Sequence, residues 1–259
     1  MVLKDKTVLI TGAGNAIGRA TTVLFANRSA KLFLVDDSIE KLEEMKTMGH
    51  ITSECHTYPC DISNPTAVTS LYQEVMKKFG KVDILINNSN FGTWKRFEQN
   101  TTDEILQTFN RNSLGPILVT HTFLPGMIKA NEGKIINVSS VYVTIPSPGV
   151  TVFAASKGAL SAFTDSLRME LEATQVEVIG VLTAPLESDF VNYSAQIKSL
   201  RMGTETEIAE VILKACSKNK RRMIAGVYGN VLVNINKVLP ALSESITRQM
   251  SRVAEFNGN

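Results

Sequence analysis

Short, uninterrupted runs of Val, Ile and Leu, separated by longer stretches with apolar residues at helical spacing, constrain this chain most. Residues 7–10, 31–35, 82–86, 134–138 and 176–182 show almost no polar alternation. Each reads as a strand buried on both faces, which is the pattern of a parallel sheet. Residues 56–60 form a weaker candidate strand. Between them, Ile17, Ala20, Leu24 and Phe25 line up on one face of a helix over about residues 16–28. Ala67, Val68, Leu71, Val75 and Phe79 do the same for a second helix, with Asn64 and Pro65 as its cap and first residue. Longer helical patterns cover about 112–130 and 152–173. Alternating strands and helices require right-handed crossovers, hence an α/β doubly wound parallel sheet with helices on both faces. Neither an internal repeat nor a low-complexity linker interrupts the 259 residues, so one domain over 1–259 is expected.

Composition removes several other classes. With 44% hydrophobic and 20% charged residues the chain is too apolar for a disordered segment. Lys+Arg number 27 against Asp+Glu 25, which gives no electrostatic footprint for nucleic acid. Cys55, Cys60 and Cys216 are odd in number and lack CxxC spacing. They are expected to be ordinary thiols, with neither a disulfide framework nor a metal site. No charged segment followed by an apolar run opens the chain, and no run is long enough to span a bilayer. A cytoplasmic location is the expectation.

The chemistry starts after the first strand, in Thr11-Gly12-Ala13-Gly14-Asn15-Ala16-Ile17-Gly18. A glycine-rich turn between strand and helix lets the backbone approach a pyrophosphate, and the helix N-terminus offers amides and positive dipole. Asp36 closes the second strand. A carboxylate there accepts hydrogen bonds from the adenosine ribose and repels a 2′-phosphate. Neither Asn15 nor Asp37 is a cation, so NAD(H) is preferred to NADP(H). This is the plan of a Rossmann-type nucleotide domain.

With these elements in place the chain resembles a classical short-chain dehydrogenase/reductase over nearly its whole length. Thr11, Gly12 and Gly18 match the family's TGxxxGxG, with Ala16 at the middle glycine. Asp61, followed by Ile62, matches the adenine-side acid after the third strand. Asn87-Asn88-Ser89-Asn90 matches NNAG in part, Asn112 the structural Asn, and Ser140 the catalytic Ser. Phe153-Ala154-Ala155-Ser156-Lys157 falls on YxASK. The resemblance implies cofactor contacts from Gly12, Gly14, Asn15, Ile17, Gly18, Asp36, Asp61, Ile62, Asn88, Lys157, Pro185 and Ser188. It also implies a small or lipid-like alcohol or carbonyl substrate, and a homo-oligomer, dimer or tetramer.

In that family a Tyr supplies the proton, the Ser orients the substrate oxygen, and the Lys lowers the Tyr pKa and binds the nicotinamide ribose. The Asn helps hold a proton-relaying water. Here the Tyr position is Phe153, which has no ionisable proton, and loss of a positioned acid costs about 10²–10⁴ in rate. Three readings stay open: an oxidoreductase using another donor, a nucleotide-binding pseudoenzyme acting as sensor or scaffold, and an engineered Tyr→Phe variant. Ala16, Ser89-Asn90, Val143 and Leu186 after Pro185 are further departures, and they concentrate on the nicotinamide half. Tyr142 and Tyr193 are the nearby phenols, while His50, His56 and His121 fall outside every motif.

Residues 186–202 are expected to cover the substrate. A helix over 204–217, a strand over 221–225 and one amphipathic C-terminal helix over 227–250 complete the chain. The basic run Lys218–Arg222 next to that helix permits peripheral membrane contact, although packing or a subunit interface explains it better.

Overall fold

A computed structural model describes residues 3–47, 53–184, 186, 203–218 and 220–255. Seven strands form one sheet: β1 (Thr7–Thr11), β2 (Lys31–Asp36), β3 (Cys55–Pro59), β4 (Ile84–Asn87), β5 (Gly133–Ser140), β6 (Val176–Thr183) and β7 (Arg222–Ile224). Every pairing is parallel, in the order β3-β2-β1-β4-β5-β6-β7. The order reverses between β1 and β4, so a crevice opens at their carboxyl ends. That is where open α/β sheets hold ligands.

Strand pleating sorts the core into two layers. On one side Val8, Ile10, Leu34, Ile86, Val138 and Val181 meet α1 (Ala16–Ala26), α2 (Ile39–Thr47) and α7 (Glu205–Ser217). On the other, Leu9, Phe33, Val35, Leu85, Ile135 and Val178 meet α3 (Pro65–Phe79), α5 (Gly115–Ala130) and α6 (Thr151–Glu170). Because successive side chains point to opposite faces, unbroken apolar strands feed both layers at once. The doubly wound sheet expected from the apolar runs is the fold observed.

Caps fix where the helices begin. Asn64 accepts amide hydrogens from Thr66 and Ala67 ahead of Pro65. Thr204 and Glu207 form a capping box on α7. Asn112 sits in a π-helical turn, Asn110–Leu114, wedged between α4 (Thr102–Phe109) and α5. Such one-turn widenings concentrate at functional sites.

The single C-terminal helix expected over 227–250 is corrected to two, α8 (Val227–Val238) and α9 (Pro240–Glu255). Pro240 has no amide to continue the first helix, and it keeps Leu239 out of helical geometry, at φ −134° and ψ 69°. The two helices close on the chain segment that follows β5. Asn236 donates to the carbonyl of Thr144 at 2.7 Å, and Thr247 donates to that of Pro146 at 2.8 Å. Ser243, fully buried, ties the pair together by donating to Asn236 Oδ1.

Candidate active site

The phosphate turn is built around contacts that exclude side chains. Gly12 has φ +61°, and a Cβ there would stand 2.7 Å from the carbonyl oxygen of Asn88. A Cβ on Gly18 would reach within 2.3 Å of the Gly12 carbonyl. Asn15 caps α1 by accepting from the Gly18 amide, and its Nδ2 donates to the Asn88 carbonyl. Asn88 returns two bonds, from Nδ2 to Gly12 O and to Asn15 Oδ1. Its own Oδ1 is buried with no hydrogen-bond partner among the described residues. A buried acceptor of this kind at the mouth of a glycine turn is suited to a ligand donor.

Asp36 closes the other wall. Its carboxylate accepts from the amide of Gly14 at 2.9 Å and from that of Ser38 at 3.1 Å. Burial raises its pKa above the ordinary Asp value and the Asp37 charge adds to this, while the two amides and Lys41 oppose them. Gly12, Asn15, Asp36, Asp37, Lys41 and Asp61 line a cleft of about 520 Å³, with Ile62, Asn90 and Arg111 also on its walls. One Asp61 oxygen accepts from the amide and hydroxyl of Ser63. Spacing alone did not reveal the two cations. Lys41 arrives from α2, its stem against Gly14, and Arg111 arrives from the π-turn to pair with Asp37 at 2.8 Å.

A smaller compartment of about 260 Å³ is lined by Ile17, Asn88, Asn90, Ser140, Phe153 and Lys157, among others. Asn90 borders both compartments. Ser140 ends β5 and accepts from the Tyr142 amide at 3.3 Å, and its hydroxyl proton has no acceptor among the described residues. Lys157 is 2% exposed. Its ammonium donates to the carbonyls of Ser89 at 2.7 Å and Val138 at 3.2 Å. Asn112 donates to Phe91 O at 2.7 Å, accepts from Phe91 N at 2.9 Å and donates to Ser156 Oγ at 3.0 Å. Ser140 and Lys157 thus line one compartment, while Asn112 is held by Phe91 and by Ser156, the residue before Lys157.

Phe153, the position where the resemblance expects an acid, is a hydrocarbon ring. It is buried with Trp94, Tyr142 and Val150, 5.9 Å from ring centroid to the Lys157 ammonium. That distance is within cation–π range. A Cβ on Gly92 would touch its ring at 2.8 Å, and Trp94 meets Tyr142 edge-on. This aromatic wall was not readable beforehand because Trp94 and Gly149 carry no motif. Gly149 has φ +84°, and a side chain there would strike the Trp94 indole. The expected contacts Pro185 and Ser188, the candidate donor Tyr193, His50 and the substrate segment from 187 to 202 lie outside the described residues. His56 packs among Phe33 and Phe79 on the outer strand, away from the cleft.

The short chain dehydrogenase family profile matches residues 6–198. A 3-oxoacyl-[acyl-carrier-protein] reductase from Thermotoga maritima is 30% identical over 242 residues, covering 88% of this chain and 97% of that one. The fold matches NAD+-bound xylitol dehydrogenase with a TM-score of 0.77 at 23% identity, covering 86% of this chain and 98% of that structure. It also matches a metagenomic short-chain oxidoreductase in complex with NADP, with a TM-score of 0.73 at 26% identity, covering 87% and 98%. The chain therefore belongs to the short-chain dehydrogenase/reductase family of NAD(P)-dependent oxidoreductases.

Proposed function

We propose that the chain binds NAD(H) in preference to NADP(H) and interconverts a hydroxyl and a carbonyl on a small or lipid-like substrate, without proton transfer at residue 153. The observation that carries this reading is the shared wall of two compartments. Asn90 lines both the one with the amide-held Asp36 carboxylate and the one holding Ser140 and Lys157. A dinucleotide fits the residues present, since Asn88 Oδ1 is an orphaned acceptor and the glycine turn leaves no room for Cβ atoms.

When bound, the nicotinamide supplies or accepts the hydride. Gly12, Gly14, Ile17 and Gly18 frame the pyrophosphate position at the α1 N-terminus, and Asp36 accepts from the adenosine ribose. Ser140 offers its hydroxyl proton to the substrate oxygen as negative charge develops there. Lys157, anchored by two carbonyls, places positive charge beside that oxygen and within reach of the nicotinamide ribose. Phe153 supplies shape alone, so the proton comes from solvent, and turnover is slower by about 10²–10⁴ than with a positioned acid.

A second reading, nucleotide binding without turnover, is favoured by the hydrocarbon packing of Phe153 against Trp94, Tyr142 and Val150. Calorimetry with NADH and NADPH, followed by turnover of a carbonyl panel by the native chain and by Phe153→Tyr, separates the two. Measurable native turnover that rises in the Tyr variant supports the first reading. Turnover only in the variant supports the second, and binding of neither nucleotide overturns both. Tighter binding of NADPH than of NADH overturns the cofactor preference. Homo-oligomerisation and a cytoplasmic location belong to the same proposal. Exposed Leu106, Leu114 and Met169 on α4–α6 support the former, and sedimentation velocity tests it.

A further inference from the structure

Arg111 stands at the open edge of the adenosine compartment, and the nucleotide reading above gives it no task. Its backbone is not free to drift. The next residue, Asn112, is bonded through both amide atoms to the main chain of Phe91, and the π-turn closes when Gly115 N–H donates to Asn110 O. From that anchored position the guanidinium lies 4.9 Å over the Phe91 ring. One of its nitrogens reaches across the cleft to Asp37 Oδ2 at 2.8 Å. Asp37 follows Asp36 directly, so the ion pair bridges the two walls beside the carboxylate that would receive the ribose.

We propose that the Asp37–Arg111 pair is the specificity device of this cleft: Asp37 neutralises a guanidinium on the cleft wall that is placed to meet a 2′-phosphate. The proposal rests on the dinucleotide reading and adds a residue to it. A planar guanidinium recognises phosphate through paired N–H donors. Arg111 has the chemistry for NADP(H), but its charge is already matched. Lys41 does not replace it, because its stem is laid along Gly14 and its charge faces the buried Asp36 carboxylate. Both partners are about two-fifths exposed, so solvent screens the pair and neither side chain is locked by packing. A single substitution is therefore enough to release the arginine.

The test is a double-mutant cycle read by calorimetry at one ionic strength, with NADH and NADPH as probes and the native chain, Asp37→Ala, Arg111→Gln and the double variant as proteins. Coupling appears as non-additivity in the NADPH affinity. Asp37→Ala is expected to tighten NADPH binding about tenfold and change NADH binding less than about threefold, the tenfold corresponding to about 1.4 kcal/mol. Adding Arg111→Gln is expected to abolish the gain. An equal gain in the double variant overturns the proposal, because removal of the Asp37 charge would then suffice without the arginine. No gain in Asp37→Ala overturns it too. If NADH binds normally in either case, the cofactor reading survives. Binding of neither nucleotide by any of the four proteins takes down both.

Discussion

The two compartments of the cleft differ in how their polar groups are held. At the adenosine end Asp36, Asn15 and Asn88 are each fixed by backbone or amide partners, and the glycines sit where nothing larger fits. At the other end Ser140 and Lys157 are held by main-chain partners beside Phe153, a phenyl ring in an aromatic wall. On the proposed function, the end that binds keeps its geometry while the end that moves a proton lacks the group that moves it. Binding needs many weak, distributed contacts and tolerates drift in any one of them. Proton transfer depends on one atom, so a single substitution changes its character.

If that contrast is right, the largest effect comes from restoring the atom. Phe153→Tyr is expected to raise kcat by about 10²–10³ in steady-state assays with NADH and a carbonyl substrate. Its NADH dissociation constant should move by less than about threefold, and a large change there would erase the distinction between the two ends. Gly18→Ala strikes the binding end. Its methyl would overlap the Gly12 carbonyl, so nucleotide affinity should fall beyond detection, with a stability loss of about 3 kcal/mol by urea titration.

Asp36→Asn is expected to weaken NADH about tenfold while leaving the chain at least as stable as the native protein near neutral pH. The sign follows from the raised pKa of this buried carboxyl. The folded state binds the proton more tightly than the unfolded state, so ionised Asp36 costs stability above its folded pKa. That cost fades as pH falls through it towards the unfolded value, and NADH affinity should fade over the same range. Thermal melts and binding isotherms between neutral pH and pH 4 check both. The smallest effect is expected from Thr247→Val, which removes the bond to Pro146 and should cost about 1 kcal/mol. If it also weakens NADH binding, the two compartments are not independent.

The fold was legible in the sequence because a sheet covered on both faces leaves its strands as near-continuous apolar runs, as in residues 32–35 and 178–182. The glycine turn, Asp36, Ser140 and Lys157 were legible because each stands at a fixed offset from a strand end. What sequence reading missed was brought together by tertiary geometry. Arg111 and Asp37 meet across the cleft from separate elements. Trp94 closes on Gly149 through a backbone bond from Lys95 N–H to Gly149 O. The break at Leu239-Pro240 was written plainly but outvoted by the apolar spacing on either side of it.

The paired C-terminal helices have a consequence in time. Asn236 and Thr247 grip a segment lying 92 and 101 residues earlier in the chain. During synthesis at about 5–20 residues per second, the strands that make the adenosine compartment are complete long before those helices leave the ribosome. The segment after Ser140 must wait for them. A nascent chain halted near residue 200 would therefore carry most of a nucleotide pocket with an unfinished chemical end, and the arrival of residues 236–247 sets when the segment after Ser140 takes its shape.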